Sequence, residues 1–208
     1  MSICHHEIIE KETEMVIWKI NETEFELGKG LHLSHEALQK LTKRKSELHR
    51  KSYLAIRQLL KLLGISPELL HYDKIGAPYL TDGRFISISH SKDIAAVVIS
   101  STLVGIDLEH YKYKIKRISP RFLHTSEIKK PVEMDDLVYL TQIWTAKEAL
   151  YKLYKKPGLI FSKQLSIMPS QDECDSGKGL VIEKGKTSQY ILHFRRFENY
   201  YLTLATTN

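Results

Sequence analysis

The sequence predicts an α+β fold of two similar halves, each with a long helix packed on an antiparallel sheet. The order of a strand, a long helix and further strands occurs twice along the 208 residues. Connections between neighbouring strands of the first half are too short for crossover helices, which favours antiparallel pairing. No flexible linker or low-complexity segment lies between the halves, residues 1–101 and 102–208, so we expect them to pack closely.

In the first half, the β-branched and aromatic run of residues 14–20 predicts a strand. Ser34 is a suitable N-cap for one helix over residues 35–63, in which leucines recur at helical spacing until Gly64 ends it. Pro67 opens a short helical turn, and a loop is expected over residues 73–83, which contain two glycines and a proline. Strands with hairpin connections are then expected over residues 84–89, 94–100 and 103–109.

In the second half, apolar residues at helical spacing predict a helix over residues 135–155, which Pro157 and Gly158 end. Polar turns then separate four runs that favour strands: residues 162–168, 180–183, 189–194 and 200–205.

Composition excludes several classes of protein. With 42% hydrophobic and 27% charged residues, the chain is neither disordered nor collagen-like. Its apolar runs are far shorter than a membrane span, and the first six residues lack the apolar core of a signal peptide, so we expect a cytoplasmic protein without a membrane partner. Cys4 and Cys174 form no disulfide or metal pattern and are expected to be reduced.

The net charge of +6 favours acidic partners. Basic residues concentrate in residues 40–51 and 112–117, although such runs are often only solvated surface. A nucleic-acid-binding module, suggested by the charge and the run of residues 40–51, is poorly supported, because the tyrosines are not interleaved with that run in a recognisable RNA- or DNA-binding motif.

The first candidate site is the strand Gly105-Ile106-Asp107-Leu108-Glu109. Residues two apart on a strand share a face, so Asp107 and Glu109 project together while Ile106 and Leu108 turn into the core. Two carboxylates are hard oxygen ligands, which favour Mg²⁺ or Mn²⁺ over zinc. The alternative is a strand end whose acids face solvent or the lysines that follow.

The second candidate site is the helical segment from Trp144 to Lys152. Glu148 and Lys152 are four residues apart and share a helix face, where an ordinary ion pair is the simplest interpretation. If Glu148 reaches the face of Asp107 and Glu109, it adds a third carboxylate, and Lys152 is then placed to neutralise a phosphate.

The third candidate site is the alternating strand that ends in Ser89-His90-Ser91. Hydroxyl and imidazole groups at a strand end donate hydrogen bonds to phosphate oxygens. A Ser/His nucleophile pair is disfavoured, because neighbours on a strand face opposite ways and no orienting group is evident. A polar turn is the alternative.

Together these three segments resemble the 4′-phosphopantetheinyl transferases, in particular their longer branch, typified by the enzyme that activates surfactin synthetase. The family patterns are a G-[IV]-D-x-E strand, a W-[ST]-x-K-E-x-x-x-K helix and an F-N-x-S-H-S strand preceded by a G-K-P loop. Residues 105–109 and 144–152 match the first two in full and in the family order. In the other two, Ala77 stands at the lysine position, and Ile86-Ser87 replaces Phe-Asn.

The resemblance implies a fold of two halves related by a pseudo-twofold, with the active site between them in a monomer. It also implies a holo-carrier-protein synthase that moves the 4′-phosphopantetheine arm of coenzyme A to a serine of an acidic acyl or peptidyl carrier protein and releases 3′,5′-ADP. Asp107, Glu109 and Glu148 would hold Mg²⁺, with Mn²⁺ possible. Lys152 would stabilise the pyrophosphate, and Lys147 would assist it or face solvent.

The general base would be Glu148 or a metal-bound water. Coenzyme contacts would come from Ser89, His90, Lys51 and Arg44, with Lys74 in place of the lysine missing at residue 77. The departures from the family patterns leave a second interpretation open, a non-catalytic relative that binds coenzyme A or a nucleotide.

Overall fold

A computed structural model describes residues 3–9, 12–128, 136–170 and 175–207. The chain divides into two compact units, Met1–Ser101 and Thr102–Asn208. Both units are mixed α+β structures in which helices pack on antiparallel sheets, as the sequence predicted. No helix in the described part of the chain is long and apolar enough to cross a membrane.

The N-terminal unit consists of a four-stranded antiparallel sheet, a small hairpin and helices that cover the sheet. The order of strands in the sheet is β1-β2-β6-β5, and β3 pairs with β4. Its elements are β1 (Ile3–Ile9), β2 (Thr13–Lys19), α1 (Glu24–Gly28), α2 (His35–Thr42), α3 (Glu47–Leu62), a 3-10 turn (Pro67–Leu69), β3 (Leu70–Tyr72), β4 (Pro78–Leu80), β5 (Phe85–Ser91) and β6 (Ile94–Ser100).

The prediction of one helix over residues 35–63 was wrong, because the chain breaks between α2 and α3. Ser34 caps α2 as expected, by accepting a hydrogen bond from the amide of Ala37. At the break, Arg50 donates to the carbonyls of Arg44 and Lys45, at 3.0 Å each, and makes a bidentate ion pair with Glu24 of α1. The guanidinium thus satisfies backbone acceptors that a continuous helix would have used internally.

The loop predicted over residues 73–83 contains a strand instead. Asp73 accepts hydrogen bonds from the amides of Ile75 and Ala77, both at 2.9 Å, and so forms the turn of the β3–β4 hairpin. Lys74 lies at the exposed tip of this turn.

The C-terminal unit consists of a five-stranded antiparallel sheet, ordered β7-β11-β10-β9-β8, and a long helix packed on it. Its elements are β7 (Val104–His110), α4 (Lys114–Phe122), a 3-10 turn (Thr125–Glu127), α5 (Leu137–Tyr154), α6 (Phe161–Gln164), β8 (Leu165–Pro169), β9 (Ser176–Glu183), β10 (Lys186–Phe197) and β11 (Tyr200–Thr206). Asp136 caps α5, and Lys155 ends it in the left-handed region at φ 53°. Asp135, where the sequence placed the start of this helix, lies outside the described residues.

Two further predictions differ from the structure. The hairpin expected between β6 and β7 does not form, because β7 pairs with β11 of its own unit. The strand expected over residues 162–168 begins with the short helix α6, where Gln164 accepts a hydrogen bond from the amide of Ile160. The order of elements is nevertheless repeated: β2, α3 and the β5–β6 hairpin in one unit correspond to β7, α5 and the β10–β11 hairpin in the other.

Candidate functional site

A glycine brings β7 close to the helix α5. A Cβ atom added at Gly105 would lie 2.0 Å from the carbonyl oxygen of Ala149 and 2.7 Å from the amide nitrogen of Leu153. Any side chain at this position would therefore force the strand and the helix apart. The glycine of the first motif thus fixes the distance between β7, which carries Asp107 and Glu109, and α5, which carries Glu148 and Lys152.

The two acids of β7 share the face of the sheet on which Gly105 contacts α5, since residues two apart on a strand point the same way. Asp107 is buried, with 7% of its surface exposed, and Glu109 is half-buried. Ile106 and Leu108 are fully buried as expected, but on the face opposite the helix. The acids therefore point towards α5 from within the fold.

Lys152 connects the helix to the strand. Its ammonium lies 2.8 Å from Asp107 Oδ1 and donates a second hydrogen bond, at 2.9 Å, to the carbonyl of Ile106. The lysine thus contacts the strand as well as acting on Glu148 of its own helix, whose pKa its charge lowers. Glu109, in turn, forms an ion pair with Lys112 at 3.0 Å.

Glu148 lies in a setting that disfavours its charge. Burial, followed by the negative charges of Asp107 and Glu109, raises the pKa of the Glu148 carboxyl to about 7, although the Lys152 charge opposes the shift. The negative charges of Asp107 and Glu109 thus act on the Glu148 carboxyl. Nevertheless, no three His, Cys, Asp or Glu side chains within the described ranges form a cluster that could hold a metal ion.

Lys147 occupies a different environment from Glu148, the next residue of α5. Its side chain is 0% exposed, so the second of its two expected roles, a lysine that faces solvent, was wrong. The ammonium forms an ion pair with the buried Glu127 at 2.7 Å and donates to the carbonyls of Phe122, Phe161 and Leu165 at 2.6, 3.2 and 2.8 Å. Desolvation lowers the pKa of Lys147, against the opposing effect of Glu127. The sequence analysis did not identify Glu127, because a single acid after a short helix carries no signal of burial.

The Ser-His strand lies in the N-terminal unit as the edge strand β5. Ser89 is buried and His90 is exposed, so the two side chains lie on opposite faces of the sheet. The His90 ring lies 6.5 Å from the ring of His49, measured between centroids. His90 is thus near the start of α3, the helix that also carries the half-buried Lys51.

A cavity of about 820 Å³ opens in the N-terminal unit between α2, α3 and the β3–β4 hairpin. Tyr53 and Arg57, four residues apart on α3, line it, and the Arg57 guanidinium lies 3.3 Å from the centre of the Tyr53 ring. Arg44 lies over the same ring at 4.2 Å. The helical spacing of an aromatic and a basic residue was the available sequence signal for this pair. Other polar residues of its wall include Lys40, Lys61 and Tyr72. The five predicted coenzyme contacts are not among the lining residues: Arg44, Lys51, Lys74, Ser89 and His90.

Two family models match the chain. The 4′-phosphopantetheinyl transferase superfamily model matches residues 103–205, and the 4′-phosphopantetheinyl transferase N-terminal domain model matches residues 32–100. A comparison with curated protein sequences found no significant match.

The C-terminal unit thus carries carboxylates and a lysine where the strand β7 packs closely on the long helix α5. With both models matched in order along the chain, the protein belongs to the 4′-phosphopantetheinyl transferase superfamily. The N-terminal domain is consistent with the longer branch of this family, and the membership supports a transferase activity.

Proposed function

We propose that this protein transfers the 4′-phosphopantetheine arm of coenzyme A to a serine of an apo acyl or peptidyl carrier protein. The observation that carries the proposal is the ion pair of Lys152 with Asp107 across the close approach of β7 and α5 at Gly105, together with the effect of Asp107 and Glu109 on the pKa of Glu148. All four side chains belong to the two motifs that match the family in full.

In the proposed reaction, the serine Oγ forms a bond to the phosphorus that carries the pantetheine arm. The bond from that phosphorus to the bridging oxygen breaks, and 3′,5′-ADP leaves with the electron pair. The serine proton goes to a base, either the Glu148 carboxylate or a water. The raised pKa of Glu148, about 7, suits a group that accepts a proton near neutral pH.

The chemistry of the donors suits a hard divalent cation, although the carboxylates of the described residues do not form a cluster of metal-binding size and would have to come closer together around the ion. Asp107, Glu109 and Glu148 offer only oxygen ligands, and their mutual repulsion is relieved by a cation among them. We therefore propose that they bind Mg²⁺, or Mn²⁺ in its place. When bound, the ion would offset the negative charge of the pyrophosphate. Lys152 would exchange its contact with Asp107 for one with phosphate oxygens.

The nucleotide part of coenzyme A is proposed to bind to the N-terminal unit. Arg57 lines the cavity, and Arg44, which is not a lining residue, lies over the same Tyr53 ring, so two guanidinium charges near the cavity favour an anionic ligand. Ser89, His90, Lys51 and Lys74 remain proposed phosphate contacts outside this cavity.

The carrier partner is proposed to be acidic. The helix α4 and the preceding loop expose Lys112, Lys114, Arg117 and Arg121, and Tyr113 among them is 79% exposed. A basic surface of this kind raises the rate of encounter with an acidic partner. We also propose that the protein acts as a monomer in the cytoplasm.

The test is incubation with coenzyme A, Mg²⁺ and an apo carrier protein, followed by mass spectrometry of the carrier. A mass increase equal to the arm, absent when Mg²⁺ is chelated, supports the proposal. Tight binding of coenzyme A without any mass increase on a panel of acyl and peptidyl carriers would instead favour the non-catalytic relative.

A further inference from the structure

A buried ion pair ties three segments of the C-terminal unit to the helix α5. Lys147 and Glu127 have side-chain exposures of 0% and 1%. The carbonyls that accept from Lys147 belong to the end of α4, the start of α6 and the start of β8. A buried ammonium is costly unless every proton has an acceptor, and here the acceptors also fix where these three segments lie.

Glu127 extends the same network on its other side. Its two carboxylate oxygens accept hydrogen bonds from the amides of His124 and Ile167, both at 2.7 Å. Its carbonyl accepts a hydrogen bond from the Tyr139 hydroxyl of α5 at 2.6 Å. The turn after α4 is therefore held to β8 and to α5 through one residue.

The network connects α4, which carries the proposed carrier-binding surface, to the part of α5 that carries Glu148. Lys147 is next to Glu148 in sequence, and its ammonium holds the last residue of α4, Phe122. Phe122 also packs on Trp144 of α5, with ring centroids 5.1 Å apart. The exposed cations of α4 thus have a fixed position relative to the Glu148 carboxyl.

We propose that the Lys147–Glu127 pair is a positioning element that sets the carrier-binding surface of α4 relative to Glu148, and so determines where the carrier's serine is delivered. This inference rests on the proposed function. A shift of about 1 Å in the position of a reacting group costs roughly a hundredfold in rate, even when binding is retained. Loss of the pair should therefore lower kcat while the affinities for each substrate stay nearly unchanged.

The test uses Lys147→Met, Glu127→Gln and the double variant in the full-length protein, with Lys163→Met as the matched control. Lys163 is an exposed lysine of α6, so its loss changes the charge of the same region without disturbing the network. The measurements are kcat and KM for an apo carrier, KM for coenzyme A, Mn²⁺ affinity and the melting temperature.

Lys147→Met is expected to lower kcat by about tenfold or more, with each KM and the Mn²⁺ affinity within about threefold of the original protein. It should also lower the melting temperature, because Glu127 is left buried without its partner. In the double variant no charge remains unpaired, although three carbonyls lose their donor, so the melting temperature should recover in part while kcat stays low. If Lys147→Met does not fold, Glu127→Gln takes its place as the single variant, and its kcat and melting temperature are compared with those of the double variant.

Recovery of kcat together with the melting temperature in the double variant would overturn the inference, since the pair would then act only through stability. An unchanged kcat, or a parallel loss of Mn²⁺ affinity, would also overturn it. Failure of the original protein to modify any carrier would instead refute the proposed function, and the inference with it.

Discussion

The replacement Glu148→Gln is expected to stabilise the metal-free protein above neutral pH while it abolishes transfer. Burial and the neighbouring carboxylates raise the pKa of Glu148 from 4.5 to about 7. In the unfolded chain this carboxyl ionises near its ordinary value, so above pH 7 folding forces a charge into an unfavourable site. Since one pKa unit corresponds to about 1.4 kcal/mol, the shift corresponds to a cost of up to about 3 kcal/mol, which water reduces at a partly buried group.

The pH dependence follows from the direction of this shift. Below pH 4.5 the carboxyl is protonated in both states, so the stabilising effect of the folded site on the protonated form is fully present. This contribution falls as the pH rises from 4.5 towards 7 and is absent at pH 8. Because glutamine stays neutral throughout, the gain in unfolding free energy from Glu148→Gln should be small at pH 4.5 and greatest at pH 8.

The assay is urea denaturation in buffer with a chelator, at several pH values between 4.5 and 8. Glu47→Gln, at an exposed glutamate in the first turn of α3, is the control and should give a small difference at every pH. A gain from Glu148→Gln that is the same at pH 4.5 and pH 8, or a loss at pH 8, would refute the assignment of an unfavourable charge to this site.

Four other replacements test the remaining parts of the site. Gly105→Ala should destabilise the protein by about 2 kcal/mol or more in denaturation experiments, because the added Cβ meets the α5 backbone. The control is Gly28→Ala, which has open space around its Cβ and should change the free energy of unfolding by less than about 1 kcal/mol. Asp107→Ala should abolish transfer in the carrier assay and lower Mn²⁺ affinity, with little change in melting temperature in metal-free buffer; retained activity would contradict its role. Lys152→Ala should reduce kcat less than Asp107→Ala does, because the three carboxylates remain. Arg57→Ala should raise KM for coenzyme A without altering KM for the carrier, and an unchanged KM for coenzyme A would exclude the cavity as the nucleotide site.

The sequence predicted the elements whose signals are local. The alternation of residues 105–109 and the helical spacing before Pro157 identified β7 and α5, and both exist with nearly the expected ends. The strand β1 was missed because it contains two adjacent histidines and no apolar alternation. The break between α2 and α3 depends on Arg50 and Glu24, which are distant in sequence, so periodicity alone could not reveal it.

The pairing of strands is also a long-range property. A short connection between β6 and β7 favours a hairpin by local rules, yet β7 pairs along its whole length with β11, from Val104 opposite Thr206 to His110 opposite Tyr200. The same holds for the site. Asp107 and Glu148 could be identified from the sequence because each belongs to a motif of fixed residue types and spacing. The burial of Lys147 depends on Glu127 and on three carbonyls, which no local pattern connects to it.

The middle of α5 shows why Glu148 requires a functional explanation. Thr145 and Lys147 are both fully buried, and both are satisfied: the threonine by a hydrogen bond with Thr203 at 2.8 Å, the lysine by its ion pair and its carbonyl acceptors. Those two residues follow the rule that buried polar groups are paired. Glu148 is instead subject to the negative charges of Asp107 and Glu109, which together with burial raise its pKa although Lys152 opposes the shift. Stability alone would favour an uncharged residue at this position, and the proposed role, in which Glu148 meets a cation or a proton in the reaction, would account for this cost.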